Sequence, residues 1–215
     1  MPAGSSGAGR ELSLVFCVGL DKTGTTSLCE TVANSFGLPA RHFEGVEKLC
    51  EGLDSLDADD GRFDGECIVA DWPLWENVEN LARLYPDATY VITTRNIDDW
   101  LFSRCIHRLS LHAEWGRGLD LDVFAWSEEF ERHHGRARDV LARCRVFELN
   151  VCDDPPDKTI ETLTDVLGRR PVEGGGLEWS TRHTGESNLE KIARHIRERR
   201  QAIRDSWSEK SSSVD

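Results

Sequence analysis

Residues 19–27 bring glycines, a lysine and several hydroxyl side chains together in one short segment, GLDKTGTTS. Glycine lets the backbone turn sharply, so that successive N–H groups can converge on one anion. Lys22 adds a full positive charge, and a helix beginning after Gly24 would add the positive end of its dipole. The segment therefore predicts a phosphate-binding loop, although an ordinary strand-to-helix turn would have a similar composition.

The position of the lysine separates this loop from that of the nucleoside triphosphatases. Their pattern, GxxxxGK[ST], puts lysine directly after the last glycine. Here Lys22 comes two residues before Gly24, and Thr25 stands in the usual lysine position. The spacing therefore favours a different phosphorylated ligand.

A second candidate anion site follows a later apolar run, where Arg95 and Asn96 come directly after ATYVITT. Ser103 stands eight residues after Arg95, within a segment of helical period. A guanidinium can bind a phosphate through two parallel hydrogen bonds, and a nearby hydroxyl can add a third. The alternative is that Arg95 only pairs with Asp98 or Asp99 at the surface.

Together these two motifs resemble the sulfotransferases that use 3′-phosphoadenosine 5′-phosphosulfate (PAPS), whose loop has the form K-[ST]-G-T-[TS]. The resemblance covers roughly residues 12–110 and departs at Ile97, where the family usually has proline. It implies that Arg95 and Ser103 bind the 3′-phosphate and that Lys22 stabilises the departing phosphate oxygen, with no metal required. The residues implied at the 5′-phosphosulfate are Lys22, Thr23, Gly24, Thr25, Thr26 and Ser27.

Many family members close the nucleotide pocket with a glycine-rich, basic C-terminal loop. The candidate here is Trp179–Gly185, within which Arg182 would meet the 3′-phosphate. This segment does not match the common animal form RKGxxGxWK, and it is equally interpretable as a surface loop.

The expected general base is Asp71, which follows the buried run CIVA and stands 24 residues before Arg95. In cytosolic members of the family a catalytic histidine occupies that place. The alternative role for Asp71 is to cap the next helix. His42 and Glu44 are backup candidates, whereas three helical histidines are expected to be exposed. These are His107, His133 and His134.

The reaction implied is transfer of a sulfuryl group from PAPS to a hydroxyl or amine of a small acceptor. The alternatives are a P-loop nucleoside or sugar kinase that uses ATP and Mg²⁺, and a catalytically silent nucleotide-binding protein. The acceptor stays open: tryptophans such as Trp72, Trp75, Trp100 and Trp126 suit an apolar, planar or sugar-like molecule but also suit a core.

Composition limits the partners of this chain of 215 residues, which has 26 basic and 39 acidic side chains and a net charge of −13. Such a field repels nucleic acid. No run reaches the roughly 18 apolar residues of a membrane span, and the N-terminus lacks a signal-peptide pattern. Seven scattered cysteines suggest reduced thiols. We therefore expect a cytoplasmic protein with neither nucleic acid nor membrane as a partner.

Apolar runs alternate with amphipathic segments, which predicts an α/β fold. The expected architecture is three-layer α/β/α with a central parallel sheet of the P-loop nucleotide-binding type. One domain is expected over residues 11–208, with disordered ends at 1–10 and 209–215. The predicted strands are Leu12–Leu20, Cys67–Ala70, Ala88–Thr94 and Arg145–Val151. The predicted helices are Thr26–Phe36, Trp75–Tyr85, Ile97–Leu111, Leu121–Arg143 (interrupted at Gly135), Lys158–Leu167 and Asn188–Trp207. Ligands of such sheets bind beyond the carboxyl ends of the strands, so both anion sites should lie at one edge.

Overall fold

The computed structural model describes residues 14–57, 59–115, 118–119 and 121–173. Within these ranges the chain forms two compact units, one of residues 14–95 and 132–173 and the other of residues 96–131. Arg182, the loop around it and the helix predicted for 188–207 lie outside the described residues. The single domain expected over 11–208 stays a prediction.

The first unit is built on a five-stranded parallel sheet with the order β2-β3-β1-β4-β5. Its strands are β1 (Val15–Cys17), β2 (Ala40–His42), β3 (Ile68–Ala70), β4 (Thr89–Thr93) and β5 (Arg145–Leu149). The short central strands are completely buried, as expected for a sheet covered on both faces.

Helices connect the strands. They are α1 (Thr25–Phe36), α2 (Val46–Cys50), α3 (Val78–Leu84), α4 (Ile97–Trp115), α5 (Val123–Val140) and α6 (Pro156–Leu167). Two 3₁₀ turns, Leu53–Ser55 and Leu74–Asn77, precede β3 and α3 respectively. Gly37 ends α1 in the left-handed conformation, and its N–H bonds to the carbonyl of Ala33.

Two hydrophobic clusters cover the two faces of the sheet. On β1, Phe16 faces one cluster, whereas Val15 and Cys17 face the other, which is the two-residue alternation of a strand. The first cluster takes residues from α3, from the end of α5 and from the turn that follows α5: Val78, Leu81, Ala137 and Leu141. The second takes residues from α1 and α6: Leu28, Val32, Phe36, Leu163 and Val166. The predicted α/β/α layering and central parallel sheet are thereby confirmed.

The structure departs from the predicted elements in several places, and helix α2 (Val46–Cys50) is one element that was not predicted. Strand β2 was not predicted, because it has only three residues, all partly buried. The helix expected from Trp75 begins with a 3₁₀ turn. Helix α5 continues through Gly135 without interruption.

The second unit contains α4 and the first turns of α5. The Arg104 guanidinium lies over the rings of Trp100 and Trp126, 4.9 and 5.1 Å from their centroids, and its Nη1 donates to Glu129 Oε2 at 2.8 Å. Trp100 and Trp126 are buried. Of the two interpretations of these tryptophans, the burial of Trp100 and Trp126 supports the core, because covering their rings stabilises the unit.

Candidate anion-binding and catalytic site

Strands β1 and β4 are neighbours at the point where the strand order reverses direction. From β1 the chain proceeds to β2 and β3 on one side of the sheet, and then crosses to β4 on the other side. Ligands of open α/β sheets bind at such a switch point. Lys22 follows β1 and Arg95 follows β4, so both predicted anion sites lie beside it.

The residues joining β1 to the loop pack tightly against the end of β4. A Cβ atom on Gly19 would lie 1.9 Å from Thr93 Oγ1 and less than 3 Å from the Thr93 main chain. Only glycine fits there, because any side chain would have to displace the neighbouring strand. Gly19 therefore lets the loop leave the sheet at the switch point.

The buried side chain of Thr23 connects the loop to the end of β4. Its side chain is buried, its Oγ1 donates to the Leu20 carbonyl at 2.5 Å, and it lies 2.6 Å from Thr93 Oγ1. Because these contacts occupy the hydroxyl, Thr23 braces the loop against β4 in this structure.

The loop ends at the N-terminus of α1 through two left-handed residues. Lys22 has φ 64°, and Gly24, which precedes the first residue of α1, has φ 99°. Residues with positive φ next to helical ones turn successive N–H groups toward a common point. A Cβ at Gly24 would also approach Val151 Cβ to 2.9 Å, so glycine is needed here for both conformation and space.

Arg95 contacts this loop directly. Its Nη1 donates to the Lys22 main-chain carbonyl at 3.2 Å. Its Nε is buried and has no hydrogen-bond partner among the described residues. A buried guanidinium N–H without a partner is costly, and an anion would satisfy it.

His42, the last residue of β2, lies against the first turn of α1. Its Nε2 is 3.2 Å from Thr25 Oγ1 and 3.1 Å from Thr26 Oγ1. The same Nε2 lies 3.3 Å from Asp71 Oδ2. The imidazole thus joins the two loop hydroxyls to the carboxylate that follows β3.

Three non-glycine residues have positive φ among the described residues: Lys22, Phe43 and Asp71, at 64°, 61° and 91°. Each of them follows the carboxyl end of a strand, β1, β2 or β3 respectively. This conformation costs about 1–3 kcal/mol at each position and concentrates at functional sites. The three strained residues therefore lie at the same edge of the sheet as the polar residues of the candidate site.

His133 and His134 are only 5% and 4% exposed, so the expectation that they lie at the surface is wrong. His133 Nε2 donates to the Val18 carbonyl at 2.7 Å, and His134 Nε2 lies 3.4 Å from the Thr93 carbonyl. Burial lowers the pKa of His133 to about 4, so its imidazole is neutral at pH 7. Both rings contact strand ends from which the site loops begin.

The other predicted residues are more dispersed. Ser27 is partly exposed on the first turn of α1, and Glu44 is exposed just after β2. Ser103 and His107 are partly exposed on α4, within the second unit. The structure therefore brings together the loop, Arg95, His42 and Asp71 in the first unit.

The described residues contain neither a candidate metal cluster nor a candidate membrane span. No group of three or more His, Cys, Asp or Glu side chains is placed there to hold a metal ion. No helix in those ranges is both long enough and apolar enough to cross a bilayer.

Comparison with known protein families identifies a match over most of the chain. The family model of the sulfotransferase domain matches residues 14–166, which include the whole sheet and every site residue described in the first unit. No curated protein matches the chain.

Proposed function

The chain belongs to the sulfotransferase domain family, and on that premise we propose that it transfers a sulfuryl group from PAPS to a hydroxyl or amine of a small acceptor. PAPS supplies the sulfuryl group, and 3′-phosphoadenosine 5′-phosphate (PAP) is the product that leaves. Neither PAPS binding nor the departure of PAP demands a metal, because N–H groups and cationic side chains can hold the phosphates.

The contact between Arg95 and Lys22 carries this proposal. A nucleotide with a phosphate at each end of one ribose needs two cationic groups close together, and Arg95 Nη1 reaches the Lys22 carbonyl at 3.2 Å. If the two motifs lay on opposite sides of the molecule, no single nucleotide could reach both. The unpartnered Nε of Arg95 is the donor that we assign to the 3′-phosphate. That Ser103 and Arg182 add further hydrogen bonds to it stays a prediction from the sequence.

We assign the 5′-phosphosulfate to the loop and the start of α1. The N–H groups beyond Gly24 and the hydroxyls of Thr25, Thr26 and Ser27 would bind its oxygens, assisted by the helix dipole. Lys22 would stabilise the charge that develops on the phosphate as the sulfuryl group departs. Thr23 would contribute by bracing the loop.

The pair His42 and Asp71 is proposed to remove the acceptor proton. An imidazole that carries a proton on Nε2 donates to a carboxylate, so His42 would hold one Asp71 oxygen and leave the other for the acceptor. Asp71 would then act as general base, and His42 would orient it beside the loop hydroxyls.

The cysteines support a reducing compartment, and we propose a cytoplasmic location on that basis. All seven are free thiols. Burial raises the pKa of Cys17 to about 11 and that of Cys50 to about 12, which keeps both protonated and unreactive.

Nucleotide titration tests the function. A sulfotransferase binds PAP without metal, more tightly than AMP or ADP, and Arg95→Ala removes that preference. The matched control is Arg143→Ala, which changes an exposed arginine beyond the end of α5. Labelled PAPS and an acceptor panel then test turnover by mass gain. A preference for ADP with Mg²⁺ would indicate a kinase, and PAP binding without transfer to any acceptor would indicate a silent binder.

A further inference from the structure

Two aromatic side chains are exposed directly beside the His42–Asp71 pair. Phe43 follows His42 and is 68% exposed, and Trp72 follows Asp71 and is 41% exposed. Strands β2 and β3 are paired in parallel with His42 opposite Ala70, so Phe43 and Asp71 follow the paired positions at one edge of the sheet. Two large apolar groups therefore flank the proposed base.

Phe43 and Trp72 both lie in tight turns. The N–H of Glu44 bonds to the His42 carbonyl at 2.7 Å, which makes Phe43 the centre of a three-residue turn with φ 61°. A γ-turn with positive φ at its centre is rare and strained. Trp72 lies within a four-residue turn that the N–H of Leu74 closes on the Asp71 carbonyl at 2.9 Å.

The residue type at position 43 is the unexpected feature. A left-handed turn favours glycine or asparagine, and bulky side chains are genuine outliers there. Because Phe43 is largely exposed, packing against the core does not explain a phenylalanine at this position. An apolar side chain kept in a strained turn, and in water, is better explained by binding to a ligand.

We infer that Phe43 and Trp72 bind the body of the acceptor, and that the acceptor is a hydroxyl compound whose neighbouring part is flat and apolar. This inference rests on the proposed function. The faces of aromatic side chains take flat apolar rings well, and Phe43 has no hydrogen-bonding atom with which to read the hydroxyls of a sugar. The polar groups needed for the reaction come from His42, Asp71 and the loop, so Phe43 and Trp72 select the acceptor rather than activate it.

The test compares two probes, 2-naphthol and methyl β-D-glucopyranoside, with PAPS as donor. We expect kcat/KM for 2-naphthol to exceed that for the glucoside at least tenfold. Phe43→Gly and Trp72→Ala should each raise the KM for 2-naphthol about tenfold, with PAP affinity unchanged. Phe43→Gly should not lower the Tm, because glycine relieves the strained turn. The control is Phe102→Ala, which removes a side chain that is 60% exposed on α4. It should change neither the KM for 2-naphthol nor the PAP affinity.

The outcomes separate this inference from the function on which it rests. If PAP binds tightly but the glucoside is preferred, or neither probe accepts a sulfuryl group, the acceptor inference is wrong and the donor site stands. An unchanged KM in both variants also overturns it. If the protein does not bind PAP, the proposed function itself fails.

Discussion

The guanidinium of Arg95 donates a hydrogen bond from Nη1 to the main-chain carbonyl of Lys22, across 3.2 Å and 73 residues of sequence. This bond connects the loop after β1 with the end of β4. It also supports Lys22 in its left-handed conformation, with φ 64°. An anion bound at Arg95 would therefore affect the conformation of the Lys22 backbone, from which the Lys22 side chain extends.

Arg95→Lys should weaken PAP binding about 10–100-fold, which corresponds to the loss of one or two charge-assisted hydrogen bonds. Lysine keeps the charge but loses the planar fork that donates to a phosphate and to a carbonyl at once. Calorimetric titration with PAP and AMP measures the effect, which should be smaller for AMP because it lacks the 3′-phosphate. The control is Arg143→Lys. Equal losses for PAP and AMP would contradict a 3′-phosphate site at Arg95.

Asp71→Asn should lower kcat by about 10²–10⁴-fold and leave PAP affinity unchanged, because the amide keeps the shape but does not accept the proton. Steady-state kinetics with labelled PAPS and calorimetry with PAP measure the two effects. Glu47→Gln, at an exposed carboxylate on α2, is the matched control. Full turnover in Asp71→Asn would exclude Asp71 as the base.

His42→Ala and Asp71→Asn should not have additive effects on kcat. The two side chains are in contact through Nε2 and Oδ2 at 3.3 Å, and residues in contact couple by about 0.5–3 kcal/mol. In the Asp71→Asn background, His42→Ala should therefore cost much less than it does alone. Additive losses would show that His42 acts independently of Asp71.

The free energy of unfolding should fall as the pH decreases from about 6.5 to about 4, and His133 should account for about 3 kcal/mol of the loss. Its pKa is lowered to about 4 by burial, so over that range the unfolded chain binds a proton that the folded protein does not. Urea denaturation at several pH values measures the slope. His133→Gln should reduce it. Carboxylates paired with arginine, such as Glu79 and Glu148, contribute in the same direction in the parent protein and in this variant.

Gly19→Ala should destabilise the protein by about 3 kcal/mol or more, because the new methyl group would overlap Thr93 Oγ1 and its main chain. Gly135→Ala should instead stabilise it by about 0.5–1 kcal/mol, since that glycine lies within α5 and has open space around its Cβ position. Urea denaturation compares the two. A stable Gly19→Ala protein would contradict the close approach of the loop to β4.

Local sequence was sufficient to predict the elements that carry the proposed donor site. The apolar runs around β1, β3, β4 and β5 have the length and composition of buried strands, and the loop from Gly19 to Ser27 has a recognisable spacing. From these patterns the parallel sheet, its layers and the family followed. Arg95 could be found because it ends such a run and stands eight residues before Ser103.

Strand β2 and the burial of His133 and His134 could not be predicted from local sequence and are seen only in the folded structure. A strand of three residues is too short to show a period, so local sequence does not reveal that His42 ends a strand, as its pairing with β3 shows. His133 and His134 stand among charged residues of α5, and nothing in that local pattern reveals the carbonyls of Val18 and Thr93 that they face.

The sequence by itself determined the types of chemical group available and the order of the secondary-structure elements, because periodicity and turn residues act over a few neighbours. Only the tertiary structure decided which groups meet: Arg95 with Lys22, and His42 with Thr25, Thr26 and Asp71. Those contacts depend on the order of the strands in the sheet. That order is determined by how the strands pair side by side and by burial of the whole sheet, and no local segment of sequence encodes it.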